Sequence, residues 1–248
     1  MEVNQAKLYD RQIQIFGADT QKRISASEVL IHGLNTVTTE MAKNLALIGF
    51  SVALCDDRPL TAQDIDASPL LGKCDEHSIS TPVAQVVATK LLEMNPCIRV
   101  RVVTDTLDSA FGESTQVFVS AGQNFEAQVG VSSQLTHINV PKFYVFGANY
   151  RFLVLAEMPG KPFKLAEHTQ EQLQTKFAEL DLQYDFNDTH TPSLDDFVLQ
   201  CVFGATLNQT LLSLVSSGRA AHNLMYLDVD CESKNPNHHR RLECLTLN

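Results

Sequence analysis

Two short apolar runs separated by one helix-length stretch limit the fold of this chain more than any other feature. The first, from Glu28 to Gly33, centres on Val29, Leu30 and Ile31 and is stopped by glycine. That pattern suits a strand covered on both faces rather than one with a wet side. Val37, Met41, Leu45 and Ile48 then recur at helical spacing, and Gly49 supplies a C-terminal stop. The second run, Ser51 to Cys55, ends at Asp56 and Asp57. Strand, helix and strand within so few residues form a β-α-β unit, which forces parallel pairing and opens a doubly wound fold.

The rest of the chain continues that alternation. Residues 5–26 read as one amphipathic helical region, and a polar loop with Pro59 and Pro69 follows the second strand. A helix is expected over 83–94, ended by Asn95 and Pro96, with strands near 98–103, 116–120 and 142–147 and a helix near 126–138. The glycine-containing turn 147–149 sets a further strand, 151–155, against its predecessor as a hairpin. Residues 157–192 read as a polar excursion with one helix near 168–180. An apolar helix over 195–217 precedes a closing strand pair at 225–229 and 242–246. The expectation is an α/β, doubly wound, mostly parallel Rossmann-like sheet with helices on both faces and a C-terminal β-hairpin extension. It forms a single domain over 1–248.

Charge narrows the partners. A net charge of −10 argues against nucleic acid or an anionic membrane as the main partner. The polar start, Met1 to Gln14, lacks the apolar centre of a signal peptide, and no stretch is apolar enough to span a bilayer, so an intracellular protein is expected. Cys55, Cys74, Cys97, Cys201, Cys231 and Cys244 stand far apart with no CxxC. They are read as small apolar fillers or idle thiols, and no metal site is expected.

The loop after the first strand carries the chemistry question. In a nucleotide site of this kind, GxGxxG lets the backbone approach phosphates at a helix N-terminus. Here Gly33 keeps the first glycine, while Asn35 and Thr38 stand where the other two belong. Side chains at those points crowd both phosphate and helix–strand contact. Asp56, 23 residues beyond Gly33, occupies the place of an acidic ribose ligand, and is equally readable as a solvated loop residue.

The segment YDRQIQIFG, Tyr9 to Gly17, followed by Gln21 to Ile24 and by Ala26 and Ser27, is more specific. It resembles the N-terminal signature of the adenylation domains of ubiquitin-like modifier activating enzymes, in particular the smaller subunit of the SUMO-activating enzyme. The likeness continues at Glu40 to Leu45, Lys142 to Gly147, Asp195 to Val198, His222 and Asn223, Tyr226 to Asp228, and Leu242 to Leu245. It thins over about 157–192.

The resemblance implies that one of two homologous halves holds ATP, and it makes this chain the other. The family's asparagine and arginine after the ribose aspartate fall at Asp66 and Ala67. Its phosphate lysine falls at Val83, its metal-binding aspartate at Gln123, and a further arginine at Gln128. Adenylation must offset triphosphate charge with cations and Mg²⁺, and all those groups are missing together. The excursion is also too short for the family's cysteine domain.

The implied role is therefore a non-catalytic subunit, an inactive adenylation-type half over 1–248. It would bind no cofactor itself and would support ATP- and Mg-dependent adenylation of a modifier, SUMO first, in a larger partner subunit of the nucleus or cytoplasm. By the same resemblance Arg11 reaches in trans into that partner's ATP site, with local pairing to Asp10 or Asp19 as the alternative. Lys22 and Arg23 are read as solvated, His32 as a core histidine, and His238 to Arg241 as a solvated turn. The rival roles are the regulatory subunit of a Nedd-type activating enzyme, a stand-alone ThiF-like adenylyltransferase, and a Rossmann binding protein without a dimer partner.

Overall fold

The computed structural model describes residues 5–72, 74, 78–122, 124–148, 151–180, 182, 184, 186, 194–217, 224–228 and 241–245. These form two compact units: residues 1–118 with 200–219, and residues 119–199 with 220–248. Among the described residues the strands β1 (Glu28–His32), β2 (Ser51–Cys55), β3 (Val100–Val102), β4 (Thr115–Ala121), β5 (Lys142–Ala148), β6 (Arg151–Glu157), β7 (Leu224–Asp228) and β8 (Arg241–Leu245) are ordered β3-β2-β1-β4-β5-β6-β7-β8.

In the first unit, β1 (Glu28–His32) pairs in parallel with β2 (Ser51–Cys55), in register from Glu28 opposite Ser51 to His32 opposite Cys55. β2 pairs in parallel with β3 (Val100–Val102). The inner strands are buried along nearly their whole length, which is why they read as apolar runs without alternation. Between β1 and β2 lies α4 (Thr36–Ile48). Gly49 ends it in the left-handed region at φ 107°, a conformation that costs glycine little. Space adds a second demand, since a Cβ at Gly49 would stand 3.0 Å from the Tyr9 ring.

The helical region expected over 5–26 is built of three helices, α1 (Gln5–Leu8), α2 (Asp10–Phe16) and α3 (Ala18–Ala26). Gly17, at φ 83°, turns the chain between the last two, so helical spacing continues while the axis does not. Tyr9, 4% exposed, anchors the start of α2. Its hydroxyl accepts from the buried Asn95 carboxamide at 2.8 Å, and the same amide donates to Ala46 O at 2.6 Å. Asn95 ends α6 (Val83–Met94), where the sequence places that stop.

The loop expected after β2 contains a further helix, α5 (Ala62–Ala67). Thr61 and Asp64 close a reciprocal capping box there, too short a helix for apolar periodicity to reveal.

β4 (Thr115–Ala121) contributes residues to both units. In the second unit α7 (Phe125–Gln134) follows it, and β5 (Lys142–Ala148) forms the expected hairpin with β6 (Arg151–Glu157). β7 (Leu224–Asp228) pairs antiparallel with β6, and β8 (Arg241–Leu245) with β7, giving the C-terminal hairpin extension. The α/β, Rossmann-like class thus stands, with parallel pairing at β1, β2 and β3 and antiparallel pairing from β5 onward. α9 (Leu194–Ser217) is the apolar helix read near the C-terminus.

The polar excursion is tied down by a few apolar side chains. α8 (Gln170–Glu179) buries Leu173 and Phe177. Phe186 meets Phe125 edge-on at 4.8 Å and Phe146 at 5.2 Å between ring centroids. Lys142 and Glu157 face each other across the β5–β6 ladder and pair at 3.2 Å, with side chains only 3% and 1% exposed. Ser132 Oγ and the Leu165 backbone N–H also donate to Glu157, so this carboxylate joins α7, the hairpin and the excursion. No helix among the described residues is long and apolar enough to cross a membrane.

Candidate functional site: a nucleotide loop closed on itself

The turn from β1 into α4 starts at Gly33, φ 78°, as a phosphate-binding loop would. The two substituted positions then satisfy the helix end internally. Asn35 is the N-cap: its Oδ1 accepts from Thr38 N at 3.0 Å, and Thr38 Oγ1 accepts from Asn35 N at 3.0 Å. Thr38 Oγ1 also donates to Gly33 O at 2.8 Å, and Thr38 is fully buried. Amides that a glycine-rich loop would turn toward phosphate are thus taken by side chains of the loop itself.

Asp56 is drawn into the same network. Its Oδ2 accepts from Leu34 N at 2.8 Å and its Oδ1 from Arg58 N at 3.2 Å. Arg58 completes the closure. Its Nε lies 3.3 Å from Asp56 Oδ2, Nη2 donates to Leu34 O at 2.7 Å, and the guanidinium forks onto Asp64 at 2.8 Å through both terminal nitrogens.

The Asp64 hydrogen bonds raise the Arg58 pKa, burial opposes this, and the charges of Asp56 and Asp64 add to it. Burial pushes Asp64 up, but hydrogen bonds from Arg58 and Thr61 outweigh it and hold the carboxyl below its ordinary value. The Arg58 guanidinium beside the loop is therefore matched by two carboxylates and a carbonyl. Arg58 was missed in the sequence. Its signal was an arginine two residues beyond Asp56, at the carboxyl end of a parallel strand.

Two of the remaining family positions are buried. Val83 is fully buried at the first turn of α6. Gln128 is fully buried in α7, where its amide donates to Ser120 O at 3.0 Å and Val145 O at 3.2 Å. Asp66 and Ala67 lie in α5, and Gln123 lies outside the described residues. Among the described residues no group of three or more His, Cys, Asp or Glu could hold a metal ion.

Arg11 is exposed on α2. Neither alternative partner holds it: Asp10 instead accepts from Gln14 at 3.1 Å. α2 is fastened by Tyr9 at its N-cap and by Gln12, whose amide donates to Leu47 O at 3.1 Å. Ile15, four residues beyond Arg11 and thus on its face, is 75% exposed.

Lys22 and Arg23 are exposed, Arg23 donating to Thr20 at 3.2 Å. His32 stacks against Phe118 at 6.4 Å, and burial lowers its pKa against the opposing charge of Asp56. Cys55, Cys74 and Cys97 are in no disulfide and are partly exposed, and burial, then Asp56 and Asp57, pushes the Cys55 thiol up, away from a reactive thiolate. The side chains of Cys201 and Cys244 and all of Cys231, His222, Asn223 and His238 to Arg240 lie outside the described residues.

Residues 9–144 match the ThiF family. Human SUMO-activating enzyme subunit 1 is 31% identical over 191 residues, covering 71% of this chain and 54% of that protein. SUMO-activating enzyme subunit 1B-1 of Arabidopsis thaliana is 36% identical over 96 residues, 38% of this chain and 30% of the relative. The chain therefore spans only about a third to a half of the SUMO-enzyme relatives it matches. Among solved structures, PaaA superposes with a TM-score of 0.71 at 16% identity, covering 99% of this chain and 84% of that one. Escherichia coli MccB with ATP gives 0.70 at 14% identity, covering 99% and 71%. At those identities the likeness establishes the fold alone. By its sequence match and its fold, the chain belongs to the ThiF family and is related to subunit 1 of SUMO-activating enzymes from plants to animals.

Proposed function

We propose that this chain is the non-catalytic subunit of a heterodimeric activating enzyme for a ubiquitin-like modifier, SUMO being the first candidate. It acts as one inactive adenylation-type half over 1–248, in the nucleus or cytoplasm, and a larger subunit binds ATP and Mg²⁺. The observation that carries this reading is the closed loop: Asp56, Arg58, Asn35 and Thr38 spend on one another the groups that would hold a nucleotide. Val83 and Gln128 stand where phosphate cations would be needed, in buried positions that could not admit a charge without cost.

Arg11 is the residue left to take part in chemistry. A guanidinium that is always charged and forks onto phosphate oxygens can stabilise the charge developing on a partner's triphosphate. Its support here is position: it is exposed on a helix pinned by Tyr9 and Gln12, beside an uncovered Ile15. Covering Ile15 would bring Arg11 up against the partner.

Reconstitution tests the whole reading. The isolated chain should show no ATP–pyrophosphate exchange with a ubiquitin-like modifier, and exchange should appear when a copurified larger subunit is present. Exchange by the homogeneous chain alone, abolished by Asp56→Ala, would overturn it. So would repeated affinity purification from the native cell that recovers no larger adenylating subunit.

A further inference from the structure

The carbonyls of a helix's last turn have no N–H partner within the helix. At the end of α4, Gly49 N still reaches Leu45 O at 3.0 Å, but Ala46, Leu47 and Ile48 have no further turn above them. Each of these three carbonyls accepts instead from a carboxamide distant in sequence. Asn95 donates to Ala46 O at 2.6 Å, Gln12 to Leu47 O at 3.1 Å and Gln21 to Ile48 O at 2.9 Å. The three converge over Gly49, where a Cβ would stand 3.0 Å from both Gln21 Nε2 and the Tyr9 hydroxyl.

α2 leans on this helix end. It has seven residues, too few to stay helical unaided, and none of them is buried. Tyr9 turns the chain before it, and Gly17 after it, at φ 83° with nothing within 4 Å of where a Cβ would be. Ile13 and Phe16 are half-buried, but apolar burial is non-directional and leaves the rotation of a short helix loosely set. Direction comes from two hydrogen bonds: Asn95 to the Tyr9 hydroxyl at the N-cap, 2.8 Å, and Gln12 to Leu47 O within the first turn. Beyond Gly17, α3 is fastened separately through Gln21, so α2 has its own tie.

We propose that Gln12 is a positioning residue for adenylation: by tying α2 to Leu47 O it fixes the rotation of that helix, and so the direction in which Arg11 is offered to the partner's triphosphate. The inference rests on the trans role proposed for Arg11. Successive side chains leave a helix about 100° apart, so an anchored Gln12 sets where its neighbour points. A roll of about 10° carries a side-chain tip about 6 Å from the axis sideways by about 1 Å. A displacement of that size, on a group aligned with reacting atoms, can cost on the order of 10²-fold in rate. A carboxamide suits this task because it donates to the carbonyl end of α4 without setting a second charge beside Arg11. Arg11 touches the nucleotide; Gln12 acts through it.

Gln12→Met keeps the length of the side chain and removes the donor. In the reconstituted enzyme it should lower kcat for ATP–pyrophosphate exchange at least about fivefold, with KM for ATP within about twofold. In an Arg11→Ala background the same substitution should add less than about twofold, because its route to the reaction has gone. A residue that merely supports the fold would slow both backgrounds alike. In the full chain without its partner, amide hydrogen exchange at Ile13 and Gly17, which donate to Tyr9 O and Ile13 O, should quicken at least about fivefold in Gln12→Met while β1 amides keep their rates. Unchanged kcat, an undiminished effect without Arg11, or unaltered exchange at those two amides overturns the inference and leaves the trans role standing. An Arg11→Ala enzyme as fast as the unaltered one overturns that role, and this inference with it. If Gln12→Met does not fold, Tyr9→Phe, which drops the hydroxyl that accepts from Asn95, takes its place in every measurement.

Discussion

Putting back the missing glycines, as Asn35→Gly with Thr38→Gly, should weaken the fold without restoring nucleotide binding. At the N-cap, glycine in place of asparagine costs a few tenths of a kcal/mol. At position 38 the change introduces glycine into the first turn of α4, about 0.5 kcal/mol. It also deletes the 2.8 Å bond to Gly33 O, about 1 kcal/mol, and the contacts of a fully buried methyl, about 1 kcal/mol. The sum is about 3 kcal/mol. With an m-value of about 3 kcal/mol/M for a chain this size, the urea midpoint should fall by about 1 M. Titration calorimetry should still detect no ATP binding at about 1 mM nucleotide, a concentration that would register any Kd tighter than about millimolar, because Arg58 remains engaged by Asp64, Asp56 and Leu34. A midpoint shift below about 0.2 M would refute the energetic account of the capping box. Tight ATP binding by the double variant would show that the glycines alone were limiting, and that the closed network is no barrier.

In the reconstituted enzyme, Arg11→Ala should slow adenylate formation on the order of 10²-fold or more while leaving complex formation intact. Arg11→Lys should recover part of that rate, since an ammonium keeps charge and loses the fork; pyrophosphate-exchange kinetics unchanged in both would remove the trans-acting role. Glu157→Gln strands the buried Lys142 charge and should cost about 3–5 kcal/mol in urea unfolding, more than Lys142→Met paired with Glu157→Leu; a single-variant cost under about 1 kcal/mol would contradict this. His32 has its pKa lowered in the fold, so the unfolded chain binds the extra proton first. The stability it contributes is present above about pH 6.5 and declines as the pH falls below that value. His32→Phe, which keeps a ring against Phe118, should flatten that decline, and urea midpoints measured at pH 7.5, 6.5 and 5.5 would expose the difference.

The sequence by itself determined the elements whose cause is local. Apolar runs, one stopped by Gly33 and the other by Asp56 and Asp57, marked β1 and β2, and helical spacing closed by Asn95 and Pro96 marked α6. The glycine-bearing turn after β5 marked the hairpin with β6. Absence was legible as well: no lysine stands at Val83, whatever the chain does in space.

Tertiary structure decided whatever depends on residues far apart in sequence, or on a dihedral angle that composition does not encode. Gly17 breaks a continuous helical pattern through a positive φ that periodicity cannot register. Asn95 reaches Tyr9 across a sequence separation of 86 residues. Lys142 meets Glu157 only because the ladder register sets them opposite each other. The state of the loop is the clearest case. Asn35 and Thr38 were visible as departures from a nucleotide site, and Gly33 and Asp56 as what is kept of one, but their mutual satisfaction was not. A parallel sheet brings the ends of β1 and β2 side by side, and there Arg58 finds both Asp56 and the Leu34 carbonyl. Hydrogen-bonding capacity is written in residue identity, whereas the choice between a ligand and a neighbour is made by distance.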